Sequence, residues 1–483
     1  MANHDFASVA EMYRRRPLGR GGYFCPLSFT IRTSHRICQV PKHPDQEWIQ
    51  GYANFVHEVT HYIGFTGTVF GLQYNLVRAA QQMLCQDILA AEHRPRIGLP
   101  LIANAPTLGE WGRLRTAPGD NLCGVASLLA CEMYVSQEVA GSRQYREMIV
   151  AGSSSHEMPD PLMPIERGAG PRAPIRGLTV LENWAISSEA LFLQCYSTEP
   201  TPLKGLEAAR SDPDYGLILL VLSGMRPPRD YLMPHVAFAA LNHRLNKNIE
   251  DALNRYALAS RTAQLVTALL DWRDAPGQED AILRPESVIR ALCSRAGLED
   301  PFDNVVEALE FLGSPQGTAM LDFPEVWLCQ QVLTGFHEKP HTFFFWPAKA
   351  TILQSTLNAT PVAPPVPIWN VIFEDAARHE RWVWNAVGFP EKAFVRLERA
   401  AHRRLIVHDF TFGISCSDVP DPVPGVRCPF VLTRAACPDE RERECSAMFR
   451  FDLGQLPPSS CQFGEMLSED WGGVLTKLDG AVP

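Results

Sequence analysis

No apolar run in the 483-residue sequence is long enough to cross a bilayer: the longest, Leu217 to Leu222, stops far short of the ~20 residues a membrane helix needs. The opening stretch, Met1 to Gly22, lacks the apolar centre of a signal peptide. Both absences predict a cytoplasmic protein. None of the 13 cysteines, an odd number scattered from Cys25 to Cys461, forms a CxxC pair. That usage fits reduced thiols better than a disulfide framework. Positive charge is also short, with 44 Lys and Arg against 54 Asp and Glu and a net charge of −10, which argues against nucleic acid or an anionic membrane as partner of the surface as a whole. There is no Walker A loop, no GxGxxG after a strand, no GxSxG elbow and no internal repeat, so nucleotide-binding and serine-hydrolase readings lose their usual support.

What is present is an ordinary globular composition, 46% apolar and 20% charged, on a chain long enough for two or three domains. Residues 23–40 show partial alternation of β-type residues and predict one or two strands. Helical spacing is expected from about Val69 to Ala91, over 122–140, from Leu181 onward, and over about 246–273, 286–296 and 302–312. Between them, 151–177 is rich in Ser, Pro, Gly and charge and reads as a flexible loop or flap. The texture changes from Phe343, and Thr360 to Pro367 reads as a stiff proline linker. The expected organisation is therefore a domain over 1–312, a connecting region over 313–368, and a C-terminal accessory domain over 369–483.

The chemistry concentrates in Glu47 to Leu72, whose centre is His57-Glu58-Val59-Thr60-His61. Residues four apart on a helix share one face, so both imidazoles of an HExxH segment reach a single metal ion. Glu58, beside the first histidine, is placed to take a proton from a water held by that metal, the work of a general base. At the chain's His and Glu frequencies chance supplies roughly 0.03 such matches, so context has to decide. The context is helical: Asp45 is a candidate N-cap, Glu47 lies in the first turn, and Trp48, Ile49, Tyr52, Phe55, Val56, Val59, Tyr62 and Ile63 form a broad apolar surface. A second match, His337-Glu338-Lys339-Pro340-His341, serves as control. Pro340 between its histidines breaks the helix that must align them, and this copy reads as a loop or turn.

A hydrolytic zinc site takes three protein ligands. Gly67 occupies the position where a metzincin carries its third histidine, so that class is set aside. Downstream, Glu182-Asn183-Trp184-Ala185 opens an apolar helix with a carboxylate followed three residues later by alanine. Here the chain resembles the gluzincin-type zincins, in which a glutamate of an ExxA-like helix completes a His, His, Glu site. The helical spacing and the turn-rich tail predict a mainly α (α+β) fold with a smaller, more β-like C-terminal region, and the resemblance implies that the helical part is a zincin-like catalytic core. It also implies His57, His61 and Glu182 as ligands of Zn²⁺. Glu189, seven residues on and on the same helix face, is either the ligand itself or a partner orienting a histidine; Glu182 is preferred. The block around Thr68, Gly71 and Leu72 also resembles a set of uncharacterised bacterial metallopeptidases with Thr-x-x-Gly-Leu after the HExxH. Gly64 replaces a polar residue common in that set and is expected to loosen the helix end.

Other features are less directed. His156, Tyr231, His235 and His243 are candidates for stabilising a developing oxyanion, with His235 reading more simply as a satisfied core residue. Cys416, Cys428, Cys437, Cys445 and Cys461 read as free thiols rather than a structural zinc site. Arg396, Arg399 and Arg403 share a helical face, with Arg404 beside it; a solvated mixed-charge face is favoured over a phosphate or acidic-partner site. The reading that results is a zinc metallopeptidase acting on protein or peptide substrates with Glu58 as general base, with a partner or ligand selected by the C-terminal domain. A zinc hydrolase of a non-peptide amide or ester is one alternative. A non-catalytic interaction or sensor protein with a structural or vestigial metal site is the other.

Overall fold

The computed structural model describes residues 22–26, 29–33, 45–90, 177–196, 213–245, 255–338, 370–375 and 378–382, with residues 396, 397, 400, 403 and 404. These are mainly helical. Strands β1 (Gly22–Cys25) and β2 (Thr30–Thr33) precede the long helix α1 (Gln46–Thr66) and α2 (Val69–Ala90). Then come α3 (Gly177–Tyr196), α4 (Pro213–Ser223), a 3-10 turn at Asp230–Leu232, α5 (Met233–Leu241) and α6 (Arg255–Asp271). The chain continues through α7 (Gln278–Leu283), α8 (Pro285–Ala296), α9 (Pro301–Gly313), α10 (Pro315–Met320) and α11 (Pro324–Glu338). Strands β3 (Asn370–Asp375) and β4 (Arg378–Trp382) complete the described elements.

Helix α1 forms for local reasons as well as tertiary ones. The Asp45 side chain accepts from the Trp48 amide at 2.8 Å, satisfying one of the donors a helix start leaves open, and Glu47 lies in the first turn. Tyr52, Phe55, Val56, Val59, Tyr62 and Phe65 are fully buried, so the helix runs through the core rather than along the surface. It packs on β1 and β2, on α2 and α11, and most extensively on α3, which also packs on α4 and α5. A second apolar cluster joins α2 to α9, α10 and α11 through Leu72, Leu76, Val305, Leu312, Met320, Val326 and Leu333.

The strands form one sheet in the order β1-β2-β3-β4. β1 with β2 and β3 with β4 are antiparallel pairs, while β2 and β3 run parallel, with Ile31 opposite Val371. Thus a strand from the 369–483 segment pairs directly with the N-terminal hairpin. Residues 315–338, assigned in advance to a connecting region, form the packed helices α10 and α11. Apart from β3, β4 and residues 396, 397, 400, 403 and 404, the 369–483 segment lies outside the described residues, as do the 151–177 segment up to residue 176, the helix expected over 122–140 and the proline linker. No described helix is long and apolar enough to cross a membrane.

The corner between α1 and α2 gives the Thr-x-x-Gly pattern a physical meaning. The Thr68 hydroxyl donates to the Gly64 carbonyl at 2.6 Å and accepts from the Gly71 amide at 3.0 Å, tying the end of one helix to the start of the next. A Cβ on Gly71 would stand 2.5 Å from the carbonyl carbon and oxygen of Phe65, so only glycine lets α2 begin this close to α1. Asn75 closes the corner by donating to the carbonyls of Phe65 at 2.9 Å and Gly71 at 2.8 Å. Gly64 does not loosen the helix end as expected. It is the point where α3 presses on α1, since a Cβ there would overlap Leu181 Cδ2.

Candidate metal centre

The close approach of α1 and α3 sets three side chains around one point. His57 and His61, one turn apart on α1, present their Nε2 atoms 3.2 Å from each other. Glu182, in the second turn of α3, brings Oε2 to 3.3 Å from each of those nitrogens. Donor atoms ~2.05 Å from a tetrahedral ion stand ~3.3 Å from one another, so this triangle has the dimensions such an ion requires. Among the described residues His57, His61 and Glu182 are the group able to hold a metal ion, and its three members match the number a hydrolytic zinc site uses.

The electrostatics fit the same reading. Glu182 Oε2 is buried and has no hydrogen-bond partner, although both imidazoles lie at ion-pair distance. Burial opposes ionisation of Glu182, but the charges and contacts of His61 and His57 outweigh it and hold the carboxyl well below its ordinary range. For His57, burial disfavours the protonated form, yet Glu182, Glu189 and Glu58 together raise its pKa well above the usual 6.5. An acidic cradle that draws cationic charge onto an imidazole is also a cradle for a metal cation.

Glu189 takes the other side of His57. Its Oε2 lies 3.3 Å from Nδ1, and its Oε1 accepts from Gln50 Nε2 at 3.5 Å. The two pairs are each seven residues apart, Gln50 and His57 on α1, Glu182 and Glu189 on α3, so facing helix stripes make a continuous polar ladder. Gln50 was not singled out from sequence; its spacing of two turns before His57 is the signal that marks it. Side-chain exposure falls from 24% at Glu189 and 15% at His57 to 7% at His61 and Glu182, so the centre opens toward the His57 side.

Glu58 is 7% exposed, and burial raises its carboxyl above the ordinary value of 4.5 against the pull of His57 and His61. Among the oxyanion candidates, His235 is fully buried with Nε2 on the Ala281 carbonyl at 3.0 Å, and burial lowers its pKa to about 4. The Nδ1 atom of His243 meets the Arg244 carbonyl at 2.8 Å, and the Tyr231 hydroxyl donates to the Pro276 carbonyl at 2.7 Å. All three are committed to backbone, and His156 lies outside the described residues. Of the second HExxH match, His337 and Glu338 sit at the end of α11 and are helical rather than in a loop, while Lys339, Pro340 and His341 lie outside the described residues. Comparison with known proteins finds no family model, no curated relative and no solved structure that matches the chain.

Proposed function

We propose that the chain is a zinc-dependent hydrolase of the HExxH type, acting as a metallopeptidase. The observation that carries this reading is the triangle of His57 Nε2, His61 Nε2 and Glu182 Oε2 with Glu58 next to a ligand on the same helix. Zn²⁺, held by His57, His61 and Glu182, would supply Lewis-acid polarisation of a scissile carbonyl and would make a water acidic enough to be deprotonated near neutral pH. Glu58 takes that proton as general base and returns it to the leaving amine, and its burial keeps a raised affinity for the proton between the two transfers. Glu189 holds His57 from its outer nitrogen. Cys293 and Cys329 are buried free thiols, in keeping with the reducing, cytoplasmic setting we assign.

Peptide and non-peptide amide and ester substrates presented to the zinc-loaded protein separate the peptidase reading from that of another zinc hydrolase. Glu58→Gln keeps the metal and loses about 10²- to 10⁴-fold in turnover. A Glu58→Gln protein with undiminished activity overturns the base assignment, and a zinc-loaded protein inert toward every class supports the non-catalytic alternative.

A further inference from the structure

Asn183, the neighbour of Glu182 on α3, is fully buried and joins two helices. Its Nδ2 donates to the Thr179 carbonyl, one turn back on α3, at 2.6 Å. Its Oδ1 accepts from the amides of Ile218 and Leu219 on α4, at 3.1 and 3.0 Å. Those amides belong to the sixth and seventh residues of α4, past the four that a helix start leaves open. The side chain therefore ties into the flank of α4 and does not cap it. Around it α4 is apolar from Leu217 to Leu222, with Ile218, Leu219 and Leu222 buried. An amide in such an interface is costly to bury unless its bonds are made. Because hydrogen bonds are directional, these select one setting of the two helices where apolar contact alone tolerates several.

That setting matters for Glu182. Its Oε2 has no hydrogen-bond partner among the described residues, so the helix that carries it aims the carboxylate at His57 and His61. A side-chain end rides about 5–6 Å from a helix axis, so a roll of α3 by about 10° moves the carboxylate about 1 Å. A working site tolerates about 0.5 Å. On the reading of His57, His61 and Glu182 as zinc ligands, we propose that Asn183 is a positioning residue of the metal centre. By pinning α3 to α4 it fixes the rotation at which α3 presents Glu182, and it acts on the metal only through that residue.

The test is the zinc affinity of the full chain, measured by competition with a chromogenic chelator, beside the melting temperature of the chelated protein. Asn183→Ala weakens zinc binding about 10- to 100-fold. The control for a merely structural role is Asn304→Ala, which removes a buried amide that donates to the Asn242 carbonyl at 3.0 Å from α9, a helix packed on α2, α10 and α11. It lowers the melting temperature and leaves zinc affinity unchanged. Asn183→Ser keeps a hydroxyl able to donate to the Thr179 carbonyl, as Thr60 and Thr66 do to the carbonyls four residues back, but it is too short to reach α4. It loses as much zinc affinity as Asn183→Ala, and it decides if Asn183→Ala does not fold. Undiminished zinc affinity in either Asn183 variant, or an equal loss in Asn304→Ala, overturns the proposal and leaves the metal centre standing. A wild-type chain that binds no zinc overturns the metal centre, and this role with it.

Discussion

Glu189 Oε2 lies 3.3 Å from Nδ1 of His57, across the imidazole ring from the nitrogen that faces Glu182. The ring is therefore gripped from both sides by carboxylates two turns apart on one helix. A carboxylate on the outer nitrogen of a ligand histidine fixes which nitrogen carries the proton and which way the ring points, and it strengthens the ligand. Glu189→Ala is expected to weaken zinc binding about 10- to 100-fold while leaving the stoichiometry at saturation unchanged. Competition with a chromogenic chelator measures this. Unchanged affinity would show that the contact with His57 does nothing for the metal.

In the proposed zinc centre, metal and protons would compete for the His57 imidazole, and the sign of the pH dependence follows. In chelated protein the pKa of His57 is raised above 6.5, so the stability it contributes is complete below about pH 6.5 and is lost as pH climbs through the raised value. Glu182 is held below its ordinary 4.5, so its contribution is present above that value and is lost only in strong acid. Zinc requires neutral imidazole and reverses the trend at the alkaline end. Melting temperatures with chelator and with zinc should converge in acid and separate increasingly above about pH 6.5, with the zinc curve higher. Curves that stay parallel across this range would argue against His57 as a ligand.

The corner between α1 and α2 sets the angle at which the HExxH helix leaves the site, and it depends on small residues. Gly71→Ala drives a Cβ into the Phe65 peptide, which cannot yield as a side chain can, and should destabilise by about 1–3 kcal/mol. Thr68→Ala removes a buried hydroxyl that both donates to Gly64 and accepts from Gly71, for about 0.5–2 kcal/mol. Urea unfolding at fixed zinc measures both. A Gly71→Ala protein as stable as the wild type would show that the helices are not in the close contact described.

Much of this was legible in the sequence, because local rules decided it. The Asp45 cap, the one-turn spacing of His57 and His61 and the apolar faces that define α1, α2, α8 and α9 follow from helical period and capping alone. Glu182 and Glu189 were harder to separate. Seven residues apart, they share a helix face, and only the height at which α3 crosses α1 puts one on the inner and the other on the outer nitrogen of His57. That height is set by Gly64 against Leu181, a tertiary fit with no local signature, which is why Gly64 read as a weak helix end. The parallel pairing of β2 with β3 joins distant parts of the chain and leaves no local trace either. Arg404 read as surface because charge usually is; its burial depends on Phe29 and Tyr74 arriving from two other elements.

The most direct measurement is the zinc content and zinc affinity of the purified chain beside those of Glu182→Ala. A carboxylate brought by α3 to the two histidines of α1 predicts a single tightly held zinc ion in the wild type and loss of that ion in Glu182→Ala. A wild-type chain that binds no zinc after loading, or a Glu182→Ala chain that binds it with undiminished affinity, would contradict the metal centre described here.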